Sequence, residues 1–359
     1  MNLVIKKLNQ IKNPQLKTAI IRSITAFFLI FFVIIILVLT VLSNNAFLLN
    51  QTNQTDWVSV SNNLRKTTST LLMLIINFIS FFGIIEIDRI LDQKRKFSFK
   101  SINFVCLSLN HYLIGFIPSW LILLKILVFN QLITNIFFLI FFLVLVIISC
   151  CYFMIIWLIQ NFNQPAKNNR IVFLVISMLA FIFWNAFYYV AIINSWVVLF
   201  LLILIPTVND SCAYIFGSLF GKRKIFQNIS PNKTLFGFIA GNLVAIVVAI
   251  SILSLIIYTV NANLQTAVFN NFWSLNPTRN NILIWWVVIT INLIIISLLS
   301  TIGDLFFSQM KRWINVKDYA KLLPGHGGLF DRFDSIIFAF NYFFIFNLLN
   351  NIIFFTDFK

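Results

Sequence analysis

The sequence predicts an all-α, polytopic integral membrane protein with about nine transmembrane helices and a cytoplasmic N-terminus. Of its 359 residues, 60% are hydrophobic and only 10% are charged, whereas a soluble domain is typically about 45–50% apolar and about 25% charged. The apolar residues form runs of about 20, the length that a helix needs to cross a bilayer. The basic residues are divided very unequally between alternate loops, as in membrane proteins with a fixed orientation.

Nine apolar runs are long enough to cross the hydrocarbon core. Because backbone polar groups inside lipid must be satisfied within the segment itself, each run is predicted to be a helix. The first five runs make up an N-terminal transmembrane region, residues 1–194, and the last four make up a C-terminal transmembrane region, residues 195–359, which carries two polar motifs. The predicted spans are Ser23–Ser43, Thr68–Ile87, Ile102–Phe129, Leu132–Leu158, Ile171–Asn194, Ser195–Gly217, Thr234–Tyr258, Asn281–Asp304 and Ser335–Phe355.

The distribution of basic residues predicts which ends of the spans face the cytoplasm. With the N-terminus inside, 21 of the 26 Lys and Arg residues lie in cytoplasmic segments, four lie on the opposite side and one, Lys125, lies within a span. This is a strong positive-inside bias. The net charge of +16 at pH 7 would favour nucleic-acid binding in a soluble protein. Here the membrane topology accounts for it, so we expect a cell-membrane location and no nucleic-acid partner.

The first polar segment, Asn209–Gly237, connects two predicted spans on the cytoplasmic side. It has Asp210 near the end of one helix and Ser230, Lys233 and Thr234 ahead of the next. A Ser-Pro pair is an ordinary start signal for a helix, and a lysine at this position is also typical of an interfacial anchor. This segment alone is therefore compatible with a purely structural role.

The second polar segment, Gly303–Ser335, carries a stripe of polar side chains where a span leaves the bilayer. Asp304, Ser308 and Arg312 recur every four residues, with Lys311 beside them, so they share one face if the helix continues. A carboxylate, a hydroxyl and two cations therefore leave the membrane together. An acidic residue at the membrane edge is costly and indicates function.

The following helix opens with further carboxylates, because Asp331, Asp334 and Ser335 share a face by the same spacing. Mg²⁺ is bound by one or two carboxylates together with phosphate oxygens, and Lys and Arg neutralise the remaining phosphate charge. We therefore predict a site for magnesium and a polyphosphate between the two helices. The alternative, a well-paired interfacial loop, does not explain the glycines on both sides of His326, where the backbone must turn sharply.

The segment SQMKRWINVKDYAKLLPGHGGLFDRFD, from Ser308 to Asp334, resembles without a gap the signature of the phosphatidate cytidylyltransferases, also called CDP-diacylglycerol synthases. The match covers 27 residues. The first polar segment resembles an upstream motif of the same family at Asp210-Ser211, Ala213-Tyr214, Gly217, Gly221-Lys222, Ser230-Pro231, Lys233-Thr234 and Gly237. The N-terminal half resembles the family only in being a set of spans.

The resemblance implies an enzyme that transfers the cytidylyl group of CTP to phosphatidate, giving CDP-diacylglycerol and pyrophosphate. It also implies a requirement for magnesium, with a second cation left open. CTP, phosphatidate and the bilayer are the expected partners, and a homodimer is left open. The active site is expected to face the cytoplasm.

The resemblance also assigns roles to individual residues. Asp304 and Asp331 are the implied metal-binding and catalytic carboxylates, and Asp210 and Asp334 are further metal ligands. The implied catalytic cations are Lys311 and Arg312, and the implied substrate-binding residues are Ser230, Lys233, Ser308, Lys317, His326 and Arg332.

Two positions depart from the family pattern. Many members carry Glu directly before the residues that match Ser308 and Gly237, where this chain has Phe307 and Phe236. A glutamate at position 307 would share a helix face with Asp304, so we predict that restoring it strengthens magnesium binding, and that a glutamate at position 236 acts similarly. The counter-argument is that Phe307 packs against a neighbouring span, where a buried charge would be costly.

Two other functions stay open. A transporter or channel with a cytoplasmic-side cation or phosphate site would also use carboxylates at broken helices, although the polar residues concentrate on one side and no inverted repeat is visible. A CDP-archaeol synthase or a polyprenol kinase would also use CTP, but the full match through Asp334 argues against both.

Overall fold

The computed structural model describes residues 14–50, 55–91, 144, 147, 151, 167–194, 196–227, 229–231, 233–259, 282–320 and 327–356. This part of the chain is helical and contains no strand, and one isolated bridge joins Lys224 to Thr234. Its seven long helices are α1 (Pro14–Asn50), α2 (Thr55–Leu91), α3 (Lys167–Ile193), α4 (Trp196–Phe220), α5 (Leu235–Thr259), α6 (Ile282–Trp313) and α7 (Phe330–Thr356).

All seven helices are long and apolar enough to cross a membrane, which confirms the all-α membrane class and seven of the predicted spans as helices. The predicted spans Ile102–Phe129 and Leu132–Leu158 lie outside the described residues, so the count of nine and the cytoplasmic N-terminus stay predictions. Several helices are longer than their predicted spans: α1 and α2 have 37 residues each, α6 continues to Trp313, and α7 begins at Phe330 rather than Ser335. Hydropathy marks only the part of a helix in hydrocarbon, whereas the hydrogen-bonded helix extends into the polar interface.

The buried core extends over all seven helices, and within it the contact between α3 and α7 is rich in aromatic side chains. The ring of Phe187 stacks on that of Phe340 with centroids 5.0 Å apart, and Phe183 meets Phe340 edge-on at 5.6 Å. The side-chain amide of Asn341 donates to the carbonyl oxygen of Leu179 at 3.1 Å, which joins the same two helices. By contrast, α1 leaves large apolar side chains exposed, as a helix that faces lipid would.

Helices α4 and α5 form a hairpin whose backbones approach very closely. A Cβ atom at Gly237 would lie 2.5 Å from the carbonyl oxygen of Ala213, and one at Gly241 would lie 2.8 Å from that of Asn209. Only glycine fits at these positions, and small residues of this kind are typical of helix contacts in membranes. Thr234 caps the start of α5, because its Oγ1 accepts a hydrogen bond from the Gly237 amide at 3.2 Å.

Helices α6 and α7 form a second hairpin, and α6 ends in a Schellman motif. The amides of Asn315 and Val316 donate to the carbonyl oxygens of Arg312 and Lys311 at 3.1 and 3.0 Å, and Asn315 has a φ of 56°. Lys311 and Arg312 therefore occupy the last turn of α6. Cations are favoured there by the partial negative charge at the C-terminus of a helix.

Candidate active site

A cavity of about 530 Å³ lies where α4, α5, α6 and α7 meet. Both hairpins contribute to it, and its polar lining includes four carboxylates and a lysine. The residues that line it are Asn209, Asp210, Ala213, Tyr214, Ser218, Lys233, Thr234, Gly237, Phe238, Thr301, Asp304, Asp331 and Asp334. Residues that are far apart in the sequence are thus brought to one site by the packing of the two hairpins.

One ion pair in the cavity joins the two hairpins. Lys233 Nζ, just before α5, lies 2.5 Å from Asp304 Oδ2 on α6, and about a quarter of each side chain is exposed (24% and 25%). Thr234 caps α5, and the glycines allow α4 and α5 to pack closely. Lys233, directly before Thr234, is therefore held beside Asp304. Both groups remain accessible to a ligand in the cavity.

A second, more buried set of charges lies within the α6–α7 hairpin. Lys311 Nζ is 2.9 Å from Asp331 Oδ1 and 3.6 Å from Asp334 Oδ2, and these side chains are 11%, 5% and 14% exposed. Together with Asp210 and the first ion pair, the site contains four carboxylates and two ammonium groups. With all of these groups ionised, the cluster carries an excess of two negative charges, which a divalent cation would neutralise.

Asp331 also organises the loop before α7. Its Oδ2 accepts hydrogen bonds from the amides of Gly328 at 2.8 Å and Tyr319 at 3.2 Å. Its buried Oδ1 accepts no well-directed hydrogen bond, although Lys311 Nζ lies nearby. Gly327 has a φ of +83°, a left-handed conformation that favours glycine, and a Cβ there would lie 3.0 Å from Asp331 Oδ2. One oxygen of Asp331 is therefore used by the loop, and the other has spare capacity.

Tyr319 supports the same loop from its buried side. Its hydroxyl donates to the carbonyl oxygen of Phe307 at 3.2 Å, and Lys311 Nζ lies 5.4 Å from the centre of its ring. Burial raises the pKa of the Tyr319 hydroxyl, and the negative charges of Asp331 and Asp334 raise it further. The hydroxyl is therefore a proton-bearing donor at neutral pH, which suits a structural role.

A buried polar cluster that the sequence analysis missed lies beside the cavity. The Asn209 side-chain amide donates to Thr301 Oγ1 at 2.8 Å and to the carbonyl oxygen of Ser297 at 3.1 Å. The Ser297 hydroxyl donates to Asn242 Oδ1 at 2.8 Å. These bonds join α4, α5 and α6. Isolated Asn, Ser and Thr residues within three apolar spans were the available signal.

Glu86 on α2 is a second residue that the sequence analysis did not connect with the site. Its fully buried carboxylate accepts hydrogen bonds from backbone amides at the start of α7. The signal for it was a carboxylate at the end of an apolar span, where an unpaired charge is costly. Its partners were not predictable, because they lie more than 240 positions away in the chain.

The structure brings six of the predicted site residues together. Asp210, Lys233, Asp304, Asp331 and Asp334 line the cavity, and Lys311 is ion-paired to two of them.

The other predicted site residues that the structure describes do not line the cavity. In the predicted stripe, Ser308 Oγ is 3.5 Å from Asp304 Oδ1, a weak contact, and Arg312 is exposed. Lys317 and Arg332 are also exposed, and Ser230 lies in the turn before α5. His326 lies outside the described residues. The roles of all of these residues stay predictions.

The two phenylalanines that replace family glutamates do not face the cavity. Phe307 is fully buried, with its ring edge-on to those of Tyr319 and Phe338 at 6.4 and 6.3 Å. A glutamate there would place a charge in an apolar aromatic cluster. The geometry therefore predicts that Phe307→Glu destabilises the protein and does not strengthen magnesium binding. Phe236 is 48% exposed and lies edge-on to Phe220 at 5.7 Å, away from the lining residues.

The carboxylates fit a magnesium ion that is partly coordinated by its substrate. Among the described residues, no three His, Cys, Asp or Glu side chains form a ready-made metal site. The cluster nevertheless offers oxygen donors, an excess negative charge and a buried oxygen on Asp331 without a well-directed hydrogen bond. Mg²⁺ commonly takes one or two carboxylates and completes its shell with phosphate oxygens and water.

Comparisons with known proteins cover most of the chain, including the residues of this site. A model described as "Cytidylyltransferase family" matches residues 63–349. A phosphatidate cytidylyltransferase of Staphylococcus aureus (strain COL) is 38% identical over 136 residues, which cover 38% of this chain and 43% of that protein. A putative phosphatidate cytidylyltransferase of Mycoplasma pneumoniae is 31% identical over 214 residues, which cover 54% of each chain. The chain thus spans about half the length of these curated relatives, or less.

Proposed function

Because the chain belongs to the cytidylyltransferase family, we propose that it transfers the cytidylyl group of CTP to phosphatidate, giving CDP-diacylglycerol and pyrophosphate for phospholipid synthesis. The observation that carries this proposal is the cavity in which carboxylates and lysines from both family-like motifs converge. Such a set of charges suits a nucleoside triphosphate and a phosphate-bearing lipid. The names of the curated relatives support the same substrates.

In the proposed reaction, a phosphate oxygen of phosphatidate attacks the α-phosphorus of CTP. A new P–O bond forms there, the bond to the bridging oxygen of the β-phosphate breaks, and pyrophosphate leaves with the bonding electrons. The nucleophile is already an anion, so no general base is required. Catalysis is then mainly positioning and stabilisation of charge.

Lys233 and Lys311 are the proposed contacts to the phosphates. Each lysine forms an ion pair with a carboxylate. Each can exchange that partner for a phosphate oxygen when CTP enters. Lys233 is the more exposed of the two, which suits an early contact with incoming substrate. Arg312, Lys317 and Arg332 are proposed as outer cations that attract CTP and the lipid headgroup.

Asp304 and Asp331 would hold Mg²⁺, with Asp210 and Asp334 as further ligands. When bound, the ion would neutralise the phosphates and stabilise the charge of the leaving pyrophosphate. The four carboxylates that face two ammonium groups, and Asp331 Oδ1, which accepts no well-directed hydrogen bond, support this assignment.

We further propose that the protein lies in the cell membrane with this cavity open to the cytoplasm, where CTP is available. The asymmetry of the basic residues supports this orientation. Residues 195–359 would form the catalytic region, because all lining residues lie between Asn209 and Asp334. A homodimer stays a prediction. Labelling of cysteines introduced at positions 222–224 by a reagent that cannot cross the membrane, in intact cells, would contradict the orientation.

The experiment that tests the activity is incubation of the purified protein with CTP, MgCl₂ and phosphatidate, followed by analysis of the lipids. We expect CDP-diacylglycerol and an equal amount of pyrophosphate, and no product when EDTA removes the metal. A phosphorylated lipid with CDP would identify a kinase instead. The transporter alternative has no support in the family match or in the names of the relatives.

A further inference from the structure

Glu86 is a carboxylate outside the cavity that is bonded directly to the segment carrying Asp331. It lies near the end of α2 and is completely buried. Its Oε1 accepts a hydrogen bond from the Leu329 amide at 2.7 Å, and its Oε2 accepts one from the Phe330 amide at 3.0 Å. Both bonds lie within the normal range of N–H···O distances, and they join two helices that are distant in the sequence.

These two bonds satisfy amides at the start of α7. The first amides of a helix have no partner within the helix and carry partial positive charge, so an anion is stabilised there. In most proteins a local Ser, Thr, Asp or Asn provides this cap. Here the cap comes from α2, and the same amides are consequently occupied and not free for a substrate phosphate.

The start of α7 packs tightly around Glu86. A Cβ atom at Gly328 would lie 2.7 Å from Glu86 Oε2 and 3.1 Å from Asp331 Oδ2. On the other side, Gly83, one turn earlier on α2, accommodates the ring of Phe330, since a Cβ there would lie 2.9 Å from that ring. Glu86 is thus fitted to the start of α7 both by hydrogen bonds and by packing.

Glu86 and Asp331 divide consecutive amides of this loop between them. Asp331 Oδ2 accepts from Gly328, and Glu86 accepts from the next two residues, Leu329 and Phe330. Asp331 follows immediately in the chain. Any shift at Leu329 and Phe330 is therefore passed to the backbone of Asp331 and to the oxygen that faces Lys311.

We propose that Glu86 is a positioning residue: by holding the start of α7, it fixes the carboxylate of Asp331 in the cavity for the transfer reaction. This inference rests on the proposed function for its catalytic consequence. Glu86 does not line the cavity, so it acts through Asp331 and not on the substrate. The N-terminal helices would then contribute to catalysis through one side chain and would not serve only as a membrane anchor.

The test compares Glu86→Gln with a packing control, Phe340→Leu, which removes buried volume deeper in α7. Glutamine keeps the size of the side chain but has one acceptor oxygen, and its amino group would face a backbone N–H. We expect Glu86→Gln to lower kcat by about 10–100-fold, the usual effect of losing a partner that orients a ligand. We expect Phe340→Leu, even where it lowers thermal stability as much, to change kcat little.

Amide hydrogen exchange provides a readout that does not depend on activity. We expect faster exchange at 328–331 in Glu86→Gln and unchanged exchange there in Phe340→Leu. If Glu86→Gln does not fold, Gly328→Ala disturbs the same contact from the loop side and should have the same effects. Unchanged exchange at 328–331 in a folded Glu86→Gln or Gly328→Ala protein would overturn the proposal.

A double-mutant cycle with Asp331→Asn separates positioning from general stability. If Glu86 acts through Asp331, Glu86→Gln should reduce kcat by less than about 3-fold in the Asp331→Asn protein, since residues that act as a unit are strongly non-additive. The same 10–100-fold reduction in both backgrounds would overturn the proposal. If the wild-type protein makes no CDP-diacylglycerol, the proposed function fails, while the exchange measurement still decides whether Glu86 holds the loop.

Discussion

The two helical hairpins that build the cavity are held in shape by different means. In α4–α5, glycines let the helices approach until a single added Cβ would strike the opposite backbone. In α6–α7, the connecting loop is fixed by carboxylates that accept hydrogen bonds from backbone amides. The first hairpin depends on glycines, which have no side chain to separate the two helices. The second depends on charged side chains, one of which, Asp331, is also a proposed metal ligand.

The charges of the two hairpins differ in exposure as well. Lys233 and Asp304 form a pair between the hairpins and are about one quarter exposed, whereas Lys311 and Asp331 within the second hairpin are 11% and 5% exposed. Charges interact more strongly where water is excluded. Removing a charge from the second hairpin should therefore reduce both catalysis and the stability of the fold more than removing one from the pair between the hairpins.

The largest effect is expected from removing the buried carboxylate of the second hairpin. Asp331→Asn keeps the size of the side chain but removes a proposed metal ligand. We expect kcat for CDP-diacylglycerol formation to fall by at least about 10²–10³-fold, the cost of losing one strong stabilising group in an active site. Asp88→Asn, at a predicted charge-balanced cytoplasmic position, is the control and should change little. Equally mild effects of both substitutions would remove the distinction between cavity and surface.

Replacing each lysine in turn compares the buried ion pair of the second hairpin with the more exposed pair between the hairpins. Lys311→Met leaves Asp331 and Asp334 buried without their cation, so we expect a loss of about 3–5 kcal/mol of folding free energy, as for other broken buried ion pairs. Lys233→Met breaks a more exposed pair and should cost no more than about 1 kcal/mol. Thermal unfolding in detergent would measure both. Equal destabilisation would show that burial does not distinguish the pairs.

Closure of the first hairpin is tested by adding one methyl group. In Gly237→Ala the new Cβ would meet the Ala213 carbonyl oxygen at 2.5 Å, and α5 must shift to relieve the clash. We expect a loss of about 1–3 kcal/mol, typical of overpacking, and a higher KM for CTP because Lys233 shifts with α5. Ser254→Ala, at a partly exposed position of the same helix, is the control. Wild-type stability and KM in Gly237→Ala would contradict the role of glycine.

The smallest effect is expected at the exposed phenylalanine of the first hairpin. Phe236→Glu adds a carboxylate in the first turn of α5, where the helix N-terminus favours it, so stability should change by less than about 1 kcal/mol. Because Phe236 is outside the cavity lining, the magnesium concentration for half-maximal activity should not change. A clearly lower magnesium requirement would mean that this side chain reaches the metal site after all.

The sequence predicted the parts of this site that depend on local patterns. Hydropathy located the seven described helices. The spacing of Asp304, Ser308 and Arg312 on one helix, and of Asp331, Asp334 and Ser335 on the next, indicated a charged cluster at the ends of two helices. The four-residue stripe was only partly useful, because Lys311 points to the carboxylates of α7 whereas Arg312, the next residue, is exposed. Helical spacing gives the face of a residue but not the neighbour that packs on it.

Long-range contacts were beyond what the sequence could predict. Glu86 and the amides it caps are separated by most of the chain, and the Asn209–Thr301 bond joins two spans without a recognisable motif. Phe307 was expected to share the face of Asp304, yet its ring is enclosed by Tyr319 and Phe338. Each of these outcomes depends on how whole helices pack, which one-dimensional periodicity does not determine.

The central claim is that CTP binds in the cavity between the two hairpins. The most direct test is the rate of maleimide labelling of Ser218→Cys, a lining position on α4, in a protein whose four native cysteines are replaced. We predict that CTP with magnesium slows the labelling, with half-protection near the KM for CTP. An unchanged labelling rate at saturating CTP, in a protein that still makes CDP-diacylglycerol, would contradict the claim.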